Sequence, residues 1–337
     1  MARKNGGQVL VTGGSGFIGQ HLVGALVARN RRVRILDLRP PRSFQPEIQH
    51  VVGSGGDPAT AEEALNGVDE VYHLAGLPGM WRLDREDFTS ANVRCTEVML
   101  AAARRRNVAR FLHCSTESIL FGAISDDFVT EETQSHIEDM PGVYTRSKKT
   151  AEDRALSAAA EGLNVVIANP TMPIGPHNYE LTPPTAMIEY FLGRRIQFYV
   201  NCALNLVDVR DVATGLMLVM DRGEVGGRYI LGGQNTSLRQ LLKLIAALTS
   251  TAPVSIPIPG MAALAIARAM ELSANHVSQR SPAATAEGVK IALSAKPISS
   301  AKAFRDLGYT SRTLDVAVRH TIHWLDNRTD KSAATAT

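Results

Sequence analysis

The chain has 337 residues, of which 45% are hydrophobic and 20% charged, and its formal net charge is +3. These proportions are typical of a globular protein and exclude a disordered, collagen-like or coiled-coil chain. A net charge this small and dispersed also argues against nucleic-acid binding. At this length we expect one larger α/β domain and a smaller second domain.

Cysteine usage and the N-terminal sequence bear on the compartment. The chain has three cysteines without metal-ligand spacing, so we predict neither a disulfide framework nor a metal site, and a cytoplasmic location. No apolar signal segment precedes the first strand, so no signal peptide is expected. The longest apolar stretch, residues 260–270, is too short to span a bilayer, so no integral membrane segment is expected.

Short β-branched runs alternate with longer helical patterns along the first half of the chain. Strands are predicted at residues 8–12, 33–37, 50–53, 71–74, 110–114, 165–168 and 228–231. Helices are predicted at residues 16–29, 87–106, 144–162 and 238–248. Continuous apolar strands separated by helices indicate a parallel sheet that is covered on both faces. The sequence therefore predicts an α/β fold with a doubly wound parallel sheet.

A glycine-rich loop joins the first strand to the first helix. Residues 12–19, TGGSGFIG, place three glycines at the spacing G-x-x-G-x-x-G. Glycines let the backbone approach a pyrophosphate, and the helix N-terminus supplies free amides to bind it. A turn without a ligand is the alternative, but the position in a βαβ unit favours a dinucleotide site. Its predicted residues are Gly13, Ser15, Gly16, Phe17, Ile18 and Gly19.

Asp37 ends the second predicted strand, at the distance from the glycines that is expected of a ribose-binding acid. Its carboxylate would accept hydrogen bonds from the adenosine ribose hydroxyls and would repel a 2′-phosphate. NAD is therefore favoured as the cofactor. Arg39 could partner a 2′-phosphate, so NADP remains open.

Tyr144 and Lys148 open the helix predicted at 144–162, with the spacing i, i+4 that places them on one face. A nearby ammonium lowers the pKa of a phenol. The pair could therefore exchange a proton with a substrate hydroxyl while a nicotinamide transfers hydride. Thr116, just past the strand at 110–114, could hydrogen-bond the substrate oxygen, with Ser115 as the alternative. A solvated helix face is the competing interpretation of the Tyr–Lys pair.

After Pro170 the strand–helix rhythm changes and prolines become frequent. We predict a dinucleotide-binding domain at 1–170 that also includes about 203–233. Segments 171–202 and 234–328 would form a smaller, partly helical substrate domain, and 329–337 a disordered tail. Because ligands in such sheets bind beyond the carboxyl ends of the strands, the second domain should close over that edge.

Together these motifs resemble the extended short-chain dehydrogenase/reductase (SDR) family. The matching segments are TGGSGFIG, HLAG at 73–76, the STES turn, YTRSK, NPTMPIGP and LVDVRDVATG. The run from EDMPGVYTRSKKTAE to RYILGGQN is similar to hopanoid-associated sugar epimerases. That group also resembles dihydroflavonol-4-reductases and 3β-hydroxysteroid dehydrogenases. The resemblance implies a Rossmann-type, extended SDR fold.

The resemblance also implies residue roles. Tyr144 would be the acid/base, Lys148 would tune it and anchor the ribose, and Thr116 would complete the group. Asn92 would support the catalytic helix. Further cofactor contacts implied are Leu74, Ala75 and Gly76 near the adenosine and pyrophosphate, and Pro170, Met172 and Pro173 beside the nicotinamide. Relatives pair their two long helices, here 87–106 and 144–162, which implies a homodimer.

The chain departs from the family pattern at two positions. Ser54 stands where many members have an aspartate that contacts adenine, and Asn169 stands where relatives often have an arginine. The missing arginine puts a contact with an anionic substrate in doubt. Candidate substrate residues are Met80, Glu117 and His177, for which loop packing or solvent exposure is the alternative.

Three functions remain open. The first is an NAD(P)-dependent oxidoreductase that acts on a secondary alcohol or ketone. The apolar segment 260–270 and the absence of arginine at 169 favour a lipophilic substrate such as a sterol, hopanoid or flavonoid. The second is an NAD-dependent nucleotide-sugar epimerase that retains its cofactor. The third is a non-catalytic dinucleotide-binding module.

Overall fold

The structure, a computed structural model, describes residues 7–41, 47–121 and 128–334. The strands are β1 Gln8–Thr12, β2 Arg32–Asp37, β3 Gln49–Val52, β4 Val68–His73, β5 Arg110–Cys114, β6 Val165–Pro170, β7 Met172–Ile174, β8 Ile196–Tyr199, β9 Ala203–Asp208, β10 Arg228–Leu231, β11 Gln234–Ser237 and β12 Val254–Pro257. The helices are α1 Phe17–Ala28, α2 Pro58–Ala64, α3 Glu86–Phe88, α4 Cys95–Arg105, α5 Val143–Ala160, α6 Pro183–Phe191, α7 Val209–Arg222, α8 Leu238–Leu248, α9 Gly260–Ser273, α10 Ala286–Ser294, α11 Ala301–Leu307 and α12 Leu314–Ala334.

Seven parallel strands form the main sheet, in the order β10-β6-β5-β4-β1-β2-β3. All five residues of β1 are buried, as expected of a strand that is covered on both faces. The strand order reverses between β1 and β4, and ligands bind at such a switch point beyond the carboxyl ends of the strands. This sheet confirms the predicted doubly wound α/β fold.

Two helical layers cover the sheet. On one face α1 and α7 pack with β1 through apolar side chains such as Leu22 and Leu216. On the other face α4 and α5 pack through Met99 and Ala155. Both sets of side chains are fully buried. The two layers leave the carboxyl edge of the sheet as the place where polar side chains can converge.

A second unit has two small sheets and a core of its own. β9 pairs with β7 and β11, β8 pairs with β12, and α6, α8 and α12 bury side chains such as Ile188, Leu241 and Val318. Within the segment 203–233, β10 pairs in the main sheet and α7 packs on it, whereas β9 pairs in a small sheet of the second unit. The last helix continues to Ala334, where the sequence suggested a tail from 329. Residues 335–337 lie outside the described residues.

A helical hairpin, residues 260–294, consists of α9, a π-helical turn at Ala274–Ser278, and α10. Only small side chains of α9, including Ala263 and Ala267, are buried. The hairpin touches the loop after β4, where Trp81 Nε1 donates to Asn275 Oδ1 at 2.9 Å. Over the described part of the chain, no helix is both long enough and apolar enough to cross a membrane.

The helix predicted at 87–106 is divided. A short α3 leads into a π-helical segment, Thr89–Arg94, and then into α4. Asn92 lies in the π-helical segment and is buried. Such segments occur frequently at functional sites, because the extra residue per turn re-aims a side chain.

Candidate active site

The glycine loop is packed too closely for side chains at two of its positions. Gly13 has φ +69°, and a Cβ there would lie 2.9 Å from the amide nitrogen of Ala75. A Cβ at Gly19 would overlap the carbonyl oxygen of Gly13. The N-cap of α1 is Gly16, which provides no capping side chain, so the first-turn amides at Phe17 and beyond can bind an anion. These features fit the pyrophosphate of a dinucleotide.

The end of β4 lies against this loop. Thr12 accepts hydrogen bonds from two amides there, from Leu74 through its carbonyl oxygen and from Ala75 through Oγ1, both at 3.1 Å. A Cβ at Gly76 would lie 2.7 Å from Asn92 Oδ1. Ile18, in the first turn of α1, packs against the core below the loop. The predicted loop residues and the residues after β4 are therefore brought together.

Asp37 lies beside the glycine loop, at the end of β2. Its carboxylate accepts hydrogen bonds from the amides of Ser15 at 3.0 Å and Arg39 at 3.2 Å. The Arg39 guanidinium forms an ion pair with Glu180, which raises the pKa of Arg39. The positive charge of Arg39 thus already has a partner in the protein.

Thr116 and Tyr144 lie near each other at the carboxyl edge of the sheet, where the Thr116 hydroxyl lowers the pKa of the Tyr144 phenol against the larger effect of burial. Thr116 precedes a short 3-10 turn, Glu117–Ile119, and Tyr144 lies in the first turn of α5. The alternative residue, Ser115, is buried, and among the described residues its hydroxyl has no hydrogen-bond partner. The structure thus places Thr116 rather than Ser115 with Tyr144.

Lys148 is buried, and its Nζ donates to the carbonyl oxygen of Cys114 at 2.9 Å, at the end of β5. Burial lowers the pKa of Lys148. The pKa of Tyr144 is raised, mainly by burial and further by the carboxyl of Glu117. This differs from the expected lowering by Lys148, because burial dominates and the ammonium is directed at a backbone carbonyl.

Asn92 connects the loop after β4 to α5. Its Oδ1 accepts from the Leu77 amide and its Nδ2 donates to Ser147 Oγ, both at 2.8 Å. The Ser147 hydroxyl in turn donates to the Tyr144 carbonyl oxygen at 2.7 Å. This geometry is consistent with the supporting role that the resemblance implies for Asn92.

Glu117 is the predicted substrate residue that lies nearest the hydroxyl pair. Thr116 Oγ1 donates to its carboxylate at 3.0 Å, and burial raises the pKa of Glu117 to about 7. Met80 instead lies under the hairpin, since a Cβ at Gly288 would be 3.1 Å from its Sδ. His177 is exposed beside α1, and its carbonyl oxygen accepts from the Gln20 side chain at 2.7 Å. These contacts place His177 beside α1, the helix that follows the glycine loop.

The predicted nicotinamide residues lie where the two sheets meet. Pro170 is the last residue of β6, and Met172 and Pro173 belong to β7, where they pair with Leu206 and Val207 of β9. The segment from Pro170 to Pro173 therefore leads from the main sheet into the second unit.

The sequence indicated only that Asn169 stands where relatives often have an arginine, and it did not predict the structural role of this residue. It is fully buried, and its Nδ2 donates to the Thr116 carbonyl oxygen at 3.2 Å and to Glu152 Oε2 at 2.8 Å. Arg228 completes the cluster with an ion pair to Glu152 at 2.8 Å. Asn169 thus supports Thr116 from inside the protein and does not occupy a substrate-contacting position. A polar residue inside the apolar run VVIANP was the available signal.

In the described ranges of the chain, no group of three or more His, Cys, Asp or Glu side chains could hold a metal ion. The polar groups around Thr116 and Tyr144 include the Lys148 ammonium and the buried Glu117 carboxyl. They can move protons and orient an oxygen atom of a ligand.

Comparison with known proteins agrees with this architecture. The model of the NAD dependent epimerase/dehydratase family matches residues 9–232. The chain is 34% identical to a "Putative dihydroflavonol 4-reductase" of Synechocystis sp., over 94% of each protein. It is 28% identical to "Sterol demethylase protein B" of Methylococcus capsulatus, over 95% of this chain and 98% of that protein.

Solved structures are similar over nearly the whole length. The crystal structure of gox2253 shares 31% identity at a TM-score of 0.81, covering 95% of this chain and 98% of that one. UDP-glucose 4-epimerase of Thermus thermophilus, solved with NAD, has the same fold at 22% identity, with a TM-score of 0.74 and coverage of 94% and 98%. The expected resemblance is confirmed: the chain belongs to the NAD dependent epimerase/dehydratase family, a family of extended SDR enzymes.

Proposed function

We propose that this enzyme is an NAD-dependent oxidoreductase that interconverts a secondary alcohol and its ketone, with Tyr144 as the acid/base. The observation that carries the proposal is the grouping of Thr116, Tyr144 and the buried Lys148 at the carboxyl edge of the sheet, where Lys148 is held by the Cys114 carbonyl at the end of β5. The group lies at the same edge as the glycine loop, which fits a pyrophosphate.

Two contacts support NAD rather than NADP. The Asp37 carboxylate stands at the end of β2, where a 2′-phosphate would meet a like charge. Arg39, which could have paired with that phosphate, is engaged by Glu180. The ribose hydroxyls of NAD can still donate to Asp37, because a carboxylate accepts several hydrogen bonds.

The chain's own residues would handle the proton and the substrate oxygen. A bound nicotinamide supplies or accepts the hydride. The Tyr144 phenol donates its proton to the oxygen when the ketone is reduced, and its phenolate takes the hydroxyl proton when the alcohol is oxidised. Thr116 can donate to the same oxygen when its hydroxyl turns from the Glu117 carboxylate, to which it donates in this structure. Lys148 stays one helical turn from Tyr144, fixed by the Cys114 carbonyl, and its remaining protons are available to ribose hydroxyls.

A lipophilic substrate is supported by two observations. Relatives carry the names "Sterol demethylase protein B" and "3-beta-hydroxysteroid dehydrogenase", and α9 of the hairpin is rich in apolar residues. A homodimer through α4 and α5 and a cytoplasmic location stay predictions.

The test begins with the nucleotide released from purified, denatured protein, followed by NAD-linked oxidation of 3β-hydroxysteroids and other secondary alcohols. Tyr144→Phe should abolish turnover and keep NAD affinity, whereas Tyr190→Phe, an exposed tyrosine, should change neither. Full activity of Tyr144→Phe would refute the mechanism. Stoichiometric NAD that does not exchange would instead favour the epimerase, which the family name and the sugar-epimerase fold also suggest. NAD binding with no turnover would favour a non-catalytic module.

A further inference from the structure

The helical hairpin reaches the catalytic helix through a buried carboxylate. Glu287 lies in the first turn of α10, and its side chain extends to the N-terminus of α5. Its Oε1 accepts from the Thr145 amide at 2.8 Å and the Thr145 hydroxyl at 2.7 Å. Its Oε2 accepts from the Tyr144 amide at 3.3 Å. The carboxylate is therefore bound by the helical turn that presents the phenol of Tyr144.

At this end the N-cap residue of α5 supplies no side chain, and the side chain of the helix that accepts there, the Thr145 hydroxyl, binds the Gly142 amide at 3.2 Å. The N-cap residue is Gly142, and a Cβ there would overlap the Glu287 carboxylate. First-turn amides need an acceptor, and a negative charge near them is favoured by the helix dipole. The sequence of α5 thus leaves open a position that α10 fills from 143 residues away along the chain.

The position of Glu287 follows that of the whole hairpin. Glu271 of α9 accepts from the Ala286 amide at 2.9 Å, which fixes the start of α10 on α9. The hairpin also contacts the loop that carries Met80 and Trp81. Since α9 buries little beyond small side chains, few apolar contacts hold the hairpin elsewhere. A movement of the hairpin would therefore be felt at the first turn of α5.

We propose that Glu287 is a positioning residue, which caps the catalytic helix from the hairpin and holds Tyr144 in place only while that hairpin is seated. The inference rests on the proposed role of Tyr144. A substrate that binds beneath the hairpin and favours its seated position would thereby also order the acid/base. Substrate capture and the orientation of Tyr144 are coupled through this one carboxylate.

Hydrogen exchange of the full-length protein tests the capping. Glu287→Ala should speed exchange of the Tyr144 and Thr145 amides about tenfold, the size expected from loss of a helix cap. Glu287→Gln keeps an acceptor of the same shape and should restore most of the protection. Glu271→Gln keeps an oxygen acceptor for the Ala286 amide, so α10 stays on α9 and the Tyr144 and Thr145 amides should remain protected. Unchanged exchange in both Glu287 variants would overturn the proposal.

A spectroscopic signature separates positioning from a general effect on stability. In protein labelled with 3-fluorotyrosine, the Tyr144 resonance is identified by its loss in Tyr144→Phe. Glu287→Gln should move its titration to lower pH, because the neighbouring carboxylate raises the pKa of Tyr144. The other ionisable groups near the phenol are unchanged in this variant and in Glu271→Gln. They are Glu117 and Cys114, which also raise the pKa of Tyr144, and Lys148 on the same helix face.

The outcomes are distinguishable from those for the function itself. A titration that moves equally in the Glu287→Gln and Glu271→Gln variants would overturn a specific positioning role. Full turnover by Tyr144→Phe would refute the acid/base proposal. If the Glu287 variants still changed the hydrogen exchange and the Tyr144 titration as expected, the contact between hairpin and helix would remain established.

Discussion

Replacing Glu117 by glutamine should stabilise the protein at alkaline pH. The carboxyl titrates near 4.5 when exposed in the unfolded chain and near 7 when buried beside Thr116. Between these values the folded protein binds more protons than the unfolded chain, so the free energy of unfolding falls as the pH rises. Because one pKa unit corresponds to about 1.4 kcal/mol, the full difference is about 3 kcal/mol.

Glutamine keeps the size and the hydrogen-bonding ability of the protonated side chain but cannot ionise. The stability difference between Glu117→Gln and wild type should therefore grow by about 3 kcal/mol from below pH 4.5 to above pH 7. Urea unfolding followed by tryptophan fluorescence at several pH values measures it. Comparing the two proteins at each pH cancels the titration of buried histidines such as His73, whose pKa burial lowers to about 3.

Glu62→Gln is a control of opposite sign. Hydrogen bonds from Arg105 and Arg106 lower the pKa of this exposed carboxyl, so its ionised form is the one that the fold favours. Its replacement should destabilise at neutral pH, and the effect should shrink as the pH falls through the carboxyl range. A stability difference for Glu117→Gln that does not vary with pH would refute the reasoning about burial.

Two further predictions concern the cofactor site. Gly19→Ala should lower the melting temperature and weaken NAD binding more than tenfold, because the new Cβ would overlap the Gly13 carbonyl and push α1 from the loop. Thermal unfolding measures the first effect and titration calorimetry the second. Wild-type values of both would contradict the packing argument. Asp37→Ser should improve the affinity for NADP relative to NAD by about tenfold or more, because it removes the charge that opposes a 2′-phosphate; an unchanged ratio in titrations with both nucleotides would show that Asp37 does not govern the choice.

The main sheet could be predicted because its strands are continuous apolar runs between turn residues. β1, β5 and β10 begin and end at the predicted residues. β11 and β12 of the second unit escaped prediction because they are short and lack such runs: all four residues of β12 are exposed, and β11 is the polar QNTS. The π-helical segment around Asn92 was also missed, because its apolar spacing matches that of an ordinary helix.

The candidate site divides in the same way. The glycine loop and the Tyr144–Lys148 pair are local patterns, in which spacing along the chain fixes spacing in the molecule. The contacts that hold them are not local: Asn169 reaches Thr116 from 53 residues away, and Glu287 reaches Tyr144 from 143. No periodicity relates such residues, since their proximity depends on how the strands are ordered and how the second unit is placed.

The ion pair beneath Thr116 illustrates what these distant contacts accomplish. Glu152 is fully buried, and a buried ion pair recovers its desolvation cost only with good geometry, so net stability is a weak reason for it. Its second oxygen, however, accepts from Asn169 Nδ2, which sets the amide so that the same nitrogen also donates to the Thr116 carbonyl. Asn92 and Ser147 hold the turn of Tyr144 from the other side. The backbone carbonyls of Thr116 and Tyr144 are thus each bound by a separate buried network, which would preorganise the proton transfer that we propose.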